Sequence, residues 1–147
     1  MMFNTKKLIH VLASTVVFLS AIYSAALHAE QQVLINLTSS AGQTQGMAMV
    51  LANQMQQQGA KVTVLLCDSA ADLALKNYQG ETLLPMNATP RQLMDRLRQG
   101  GAMVQVCALY LPNKKITVAD LSDGITSAMP GDVAAKMLAA EVKVFSF

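Results

Sequence analysis

Short apolar runs alternate with helix-like segments along most of this sequence, and this alternation constrains the fold more than any other feature. The runs predicted as strands are 32–40, 60–68, 102–111, a short one at 125–126, and 141–147. The segments predicted as helices are 42–59, 69–75, 89–101, one that begins at Thr117, and 130–140. Strands that alternate with helices through short connections are typical of a three-layer α/β domain with a mostly parallel sheet.

The first 29 residues have the features of a targeting signal. Lys6 and Lys7 precede a long apolar run, and small residues gather at its end, as in a secretory signal peptide. Cleavage is predicted after Ala29 or after Ala26, which leaves residues 30–147 as one domain, periplasmic or secreted, with no membrane contact. The alternative is a retained membrane anchor, because about 20 apolar residues can span a bilayer.

The composition of the predicted mature chain excludes several classes of function. Loss of Lys6 and Lys7 lowers the Lys and Arg count from 11 to 9, against 9 Asp and Glu, so the net charge is close to zero. A nucleic-acid-binding protein would carry a basic face, and none is expected. Both histidines, His10 and His28, precede the preferred cut, which excludes a Cys-His dyad and a His-ligated metal site. The methionines are interpreted as core residues, so no metal or cofactor is predicted.

Polar and thiol-bearing residues stand at the ends of three predicted strands. They are Thr38, Ser39 and Ser40 after the first strand, Cys67 and Asp68 after the second, and Cys107 in the third. Ligands of parallel α/β sheets bind beyond the carboxyl ends of the strands. These residues are therefore the candidate site, and both cysteines are expected at the same edge of the sheet.

Cys107 is the candidate nucleophile. A thiolate forms readily where positive charge or backbone N–H groups lower the pKa of the thiol. The segment after Cys107 carries Lys114 and Lys115 and then the predicted helix start at Thr117, which together can supply that field. The alternative is that Cys107 and Cys67 are buried thiols or form one structural disulfide, as two cysteines in an oxidising compartment often do.

Cys67 is the weaker candidate for a reactive thiol. It also precedes a predicted helix, but Asp68 and Asp72 are close in sequence and oppose thiolate formation. Asp68, Lys114 and Lys115 are retained as candidate pocket residues.

Several segments resemble the DsrE/DsrF-like family, which includes the Tus and Dsr sulfur-relay proteins. They include "VLINLTS", "LMDRLRQGGAMVQVCALYL", "ADLSDGITSA" and the terminal "VKVFSF", and the resemblance extends from about residue 33 to 147. It implies a three-layer α/β/α domain with a five-stranded sheet in the order 4-3-2-1-5. It also implies a homotrimer or homohexamer, and a cysteine at the position of Cys107 that carries sulfur as a persulfide in some members.

The implied strand order makes the second and third strands neighbours, and parallel neighbours lie about 4.8 Å apart. Cys67 and Cys107 end apolar runs of similar length, so a disulfide between them is feasible in distance. A register slip of one residue would turn one side chain to the other face, which leaves the pairing open. If they pair, Cys67 can resolve a product formed on Cys107; otherwise Cys107 acts alone or not at all.

The leading hypothesis is an exported DsrE-like protein that uses Cys107 for thiol or persulfide chemistry in sulfur metabolism or redox handling. Its partners would be a sulfur donor or acceptor protein or a small thiol. The alternative is a non-catalytic oligomeric binding module in which the cysteines are structural. Whether the protein is an enzyme, such as a sulfur transferase, is left open by the sequence.

Overall fold

The computed structural model describes residues 30–147, so the predicted signal peptide lies outside the described residues and stays a prediction. The strands are β1 (Gln32–Leu37), β2 (Lys61–Leu66), β3 (Met103–Cys107), β4 (Thr126–Ala128) and β5 (Val142–Ser146). The α-helices are α1 (Gly42–Gln57), α2 (Pro90–Gln99), α3 (Tyr110–Lys114) and α4 (Pro130–Leu138). A first 3₁₀ helix spans Asp68–Ala74 and a second spans Val118–Asp120. None of the helices described here is long and apolar enough to cross a membrane.

The five strands form one parallel sheet in the order β4-β3-β2-β1-β5, with helices on both sides. The predicted fold class and strand order are therefore confirmed. The register aligns Leu37 of β1 with Leu66 of β2, and Leu66 with Val106 of β3. Because the central strands end level with one another, the residues that follow them meet at one edge of the sheet.

The two faces of the sheet are covered unequally. On one face, strand side chains such as Val64, Leu66 and Val106 are buried in a large core against α1, α2 and the first 3₁₀ helix. On the other face, a small cluster around Leu65 packs against α4 and contains both cysteines. Side chains alternate between faces along a strand, so each cysteine lies on the face opposite its buried neighbour, Leu66 or Val106.

Helix α2 begins and ends where the sequence predicts. The Thr89 hydroxyl accepts a hydrogen bond from the N–H of Gln92, and the Gln92 side chain accepts one from the N–H of Thr89. Pro90 occupies the first turn, where its missing N–H costs nothing, and Gly100 follows the last residue. Local sequence signals are sufficient to set these boundaries.

The third strand is shorter than the predicted 102–111. It ends at Cys107, and residues 110–114 form the short helix α3 instead. A short apolar run does not distinguish a buried strand from a buried helical turn, and here Tyr110 and Leu111 are buried by helix packing at the end of the core. Lys114 is consequently the last residue of α3.

Two other predicted elements also differ in the structure. The helix predicted from Thr117 is a single 3₁₀ turn. A capping pair is present at its start, since the Asp120 carboxylate accepts hydrogen bonds from the N–H and hydroxyl of Thr117. These two hydrogen bonds hold the pKa of Asp120 below its usual value. The strand predicted at 125–126 is found at Thr126–Ala128.

Candidate functional site

Cys67 and Cys107 form a disulfide at the carboxyl edge of the sheet, between β2 and β3. They follow the aligned residues Leu66 and Val106, so they are neighbours across the two strands. Their Cα atoms are 5.1 Å apart, inside the roughly 4.4–6.8 Å range of disulfides. The register therefore turns both side chains to the same face, which the sequence had left open.

The disulfide lies in the wall of a cavity of about 450 Å³ that opens to solvent. Cavities of about 300–1,000 Å³ are typical of small-molecule sites. The lining residues are Cys67, Asp68, Ser69, Asp72, Cys107, Leu109, Tyr110, Asn113 and Lys114. Both cysteines are half-buried, and the Leu109 side chain is 74% exposed. Both cysteines thus line a space that a small molecule can enter.

Asp72 is the centre of the polar contacts in this cavity. Its Oδ1 accepts a hydrogen bond from the Tyr110 hydroxyl at 2.6 Å and lies 2.9 Å from the Nζ of Lys114. Burial, the hydrogen bond to Asp72 and the Asp72 charge raise the pKa of Tyr110, so the phenol stays protonated and donates. Asp72 belongs to the first 3₁₀ helix, after Cys67, while Tyr110 and Lys114 belong to α3, after Cys107. These contacts join the segments that follow the two cysteines, independently of the disulfide.

Arg91 of α2 fixes the far end of the first 3₁₀ helix. Its Nη1 donates to the carbonyl oxygens of Leu73 at 2.7 Å and Leu75 at 2.8 Å, and its Nη2 donates to the Ser122 hydroxyl. Its Nε pairs with Asp95 at 3.0 Å, one turn further along α2. A half-buried guanidinium with this many partners is a rigid anchor, and it positions the helix that carries Asp72.

The structure brings together four of the predicted site residues and leaves the others apart. Cys67, Cys107, Asp68 and Lys114 line the cavity. The other predicted residues, Thr38, Ser39, Ser40 and Lys115, are not among its lining residues.

Polar groups at the end of β1 are hydrogen-bonded to other parts of the chain. The Thr38 hydroxyl donates to the carbonyl oxygen of Phe147 at 3.1 Å, and the Ser39 carbonyl accepts from the Gln45 side chain at 2.9 Å. The C-terminal residue and the first turn of α1 therefore use these polar groups for structure. This arrangement needs β5 beside β1, which no local pattern around residue 38 indicates.

Sequence reasoning missed Tyr110, Leu109 and Asn113 as lining residues, and it treated Asp72 only as a charge opposed to a thiolate. The first three lie within or just beyond the segment predicted as a strand, and their position depends on the turn after Cys107. Pro112, which is disfavoured in a central strand and tolerated in the first turn of a helix, was the available signal that β3 ends earlier. Among residues 30–147, no three His, Cys, Asp or Glu side chains are grouped so that they could hold a metal ion.

Comparison with known proteins finds a similarity in structure alone. No protein-family model matches the chain, and no curated protein matches it in sequence. The crystal structure of the YchN protein from E. coli matches with a TM-score of 0.66 at 16% identity, over 80% of this chain and 99% of that one. A protein of unknown function, MTH1491 from Methanobacterium thermoautotrophicum, matches with a TM-score of 0.60 at 9% identity, over 80% of this chain and 100% of that one. The chain shares the fold of these proteins, which supports the DsrE-like fold expected from its sequence.

Proposed function

We propose that this chain is an exported DsrE-like protein that carries out thiol or persulfide chemistry at Cys67 and Cys107, in sulfur metabolism or redox handling. One observation carries the proposal: the two cysteines are bonded to each other in the wall of an open cavity, within reach of a small molecule. A disulfide with only a structural role needs no adjoining cavity. The fold likeness and the sequence resemblance support sulfur chemistry as the class of reaction.

The proposed reaction begins with the reduced protein. The Cys107 thiolate attacks the sulfur of a small disulfide or persulfide and displaces a thiolate, which leaves the acquired sulfur group on Cys107. The Cys67 thiolate then attacks Cys107 Sγ, releases the second thiol or hydrogen sulfide, and forms the Cys67–Cys107 disulfide. Two electrons pass from the cysteine pair to the substrate, and the thiol protons go to the leaving groups. An external dithiol restores the reduced pair.

Charge in the cavity favours Cys107 as the attacking residue. Lys114 ends the helix that follows Cys107 and lines the same cavity, but its ammonium group is paired with Asp72, so the difference between the two thiols comes from the acidic residue beside Cys67. Cys67 is followed directly by the Asp68 carboxylate, which disfavours a thiolate there. Cys67 therefore takes the resolving role in the proposed reaction.

A second candidate is a non-catalytic oligomeric binding module in which the disulfide is structural. The bonded pair favours it, since neither cysteine within residues 30–147 is a free thiol. The two cysteines are 40 residues apart in sequence, and closing a loop of that length stabilises a fold by roughly 4 kcal/mol in the loop-entropy model.

The reduction potential of the disulfide separates the two candidates. Structural disulfides of secreted proteins typically have potentials below about −300 mV, whereas functional ones are more easily reduced. We expect a potential above about −300 mV and full reversibility when the protein is equilibrated in glutathione or dithiothreitol buffers and its thiols are counted by alkylation and mass spectrometry. A lower potential would instead assign the disulfide a structural role.

Export and assembly form one further proposal. The chain would begin near Glu30 after cleavage and form a homotrimer or homohexamer. Exposed apolar side chains on the α4 side of the sheet support assembly, since Leu138 is 86% exposed and Met137 and Val144 are also exposed. Native mass spectrometry of protein from the exported fraction measures both features at once. A monomer, or a chain that retains residues 1–29, would contradict the corresponding part.

A further inference from the structure

We infer that the cavity beside the disulfide selects small thiols, disulfides or persulfides that carry a positively charged amine, and that Asp68 is the residue that selects them. The inference rests on the proposed function and specifies its substrate. Its basis is the set of charged side chains that line the cavity and the ion pairs and hydrogen bonds that each of them makes.

Three charged side chains line the cavity: Asp68, Asp72 and Lys114. The Nζ of Lys114 is 2.9 Å from Asp72, so these two charges neutralise each other, and Asp72 also accepts from Tyr110. One carboxylate is left over. The cavity therefore carries a net charge of about −1, which lies on Asp68.

The Asp68 carboxylate has little else to bind. Its only side-chain hydrogen bond within residues 30–147 comes from the Ser69 hydroxyl at a long 3.5 Å. In the same part of the chain, no Lys or Arg nitrogen lies within 4.0 Å of it. The side chain adjoins Cys67 in sequence and shares the cavity with the disulfide. Asp68 is exposed to solvent, so an ammonium group on a bound substrate would replace water at this carboxylate.

The rest of the lining fits the non-polar part of such a molecule. Leu109 presents an exposed aliphatic surface, and Tyr110 contributes a ring to the same wall. A short carbon chain between sulfur and ammonium can pack there while its ends reach the disulfide and Asp68. An anionic thiol would instead meet the uncompensated carboxylate.

The test uses reduced protein and three small disulfides that differ in charge. Cystamine carries two ammonium groups, bis(2-hydroxyethyl) disulfide is neutral, and dithiodiglycolate carries two carboxylates. The rate of protein oxidation is followed by loss of free thiols at about 0.1 M ionic strength. Each rate is divided by that of a neutral small thiol with the same disulfide, which removes differences in intrinsic reactivity.

We expect the corrected rate to be about 3- to 10-fold higher for cystamine than for the neutral disulfide, and lower for dithiodiglycolate than for the neutral disulfide. An effect of this size corresponds to one charge that acts across a few ångströms in a partly hydrated site. At 1 M salt the Debye length falls to about 3 Å, and the preference should largely disappear.

Asp68→Asn is the decisive variant. Asp68 has a φ of 50°, a left-handed conformation that Asn adopts as readily as Asp, so the substitution removes the charge while it keeps the backbone. The ratio of the corrected rate for cystamine to that for the neutral disulfide should fall to near 1. Lys114→Gln should change it in the opposite direction, because it releases the Asp72 charge into the cavity.

Glu141→Gln is the matched control. It also removes one negative charge, but Glu141 precedes β5 and so lies at the amino edge of the parallel sheet. That edge is about 15–20 Å from the cavity along the strands, beyond the Debye length of about 10 Å at 0.1 M salt. The preference should be unchanged in this variant.

The outcomes separate the inference from the proposed function. If the reduced protein reacts with none of the three disulfides, the proposed function fails. If it reacts with all of them without a charge preference, or if Asp68→Asn keeps the preference, the inference fails and the proposed function stands. If Glu141→Gln loses the preference as well, the selection comes from the overall field of the protein, and the role of Asp68 is refuted.

Discussion

Replacing Cys67 with serine is expected to stop thiol exchange at a mixed disulfide on Cys107. In the proposed reaction the first attack needs only Cys107, whereas release of the bound group needs the neighbouring Cys67 thiolate. The Cα atoms of the two residues are 5.1 Å apart, so the intramolecular step has a high effective concentration of thiol. Without it, release depends on external thiol and should be slower by at least about 100-fold. Intact-protein mass spectrometry after mixing with cystamine would detect the adduct.

The matched variant is Cys107→Ser, which keeps one cysteine at the same edge of the sheet. It should form little adduct, because the remaining thiol of Cys67 is followed by the Asp68 carboxylate. Adduct on Cys67 alone would reverse the two roles. Absence of adduct in both variants would remove thiol exchange from the site.

The second large effect is expected for Leu66→Ala, measured on the oxidised protein. Leu66 is fully buried and aligned with Leu37 on one side and Val106 on the other, directly before Cys67. Truncation leaves a cavity in the middle of the large core, and changes of this kind lower the free energy of unfolding by about 2–5 kcal/mol. Urea denaturation followed by circular dichroism measures this change.

Leu84→Ala is its control, because the same side chain is removed where it is 82% exposed, outside the α4 face proposed for assembly. The free energy of unfolding should change by no more than about 0.5 kcal/mol. If Leu66→Ala were equally mild, β2 would not occupy the centre of the core. If Leu84→Ala were equally destabilising, the effect at Leu66 would not report on its burial in the core.

The sequence by itself determined the fold class, and local physical chemistry explains why. Near-continuous apolar runs such as 60–68 are typical of strands that a parallel sheet buries on both faces. They alternate with helices whose first residues have clear sequence signals, such as Thr89-Pro90. The sequence also set Cys67 and Cys107 at the ends of neighbouring strands, once the resemblance supplied the strand order. Its local patterns failed at residues 108–114, where an apolar run fits both a strand and a helical turn.

Only the tertiary structure decided what surrounds the two sulfur atoms. The register between two strands depends on both of them, so neither strand's sequence alone predicts it. The observed register aligns Leu66 with Val106 and thereby turns both cysteines to one face. The pairing of Asp72 with Tyr110 and Lys114 joins residues about 40 positions apart in the chain, and it changes Asp72 from an opposing charge into a neutralised one. The polar end of β1 is likewise taken up by the C-terminus, through contact with Phe147. A side chain's charge can be read from the sequence, but its partner is set by packing, and the partner determines which charge remains free to act.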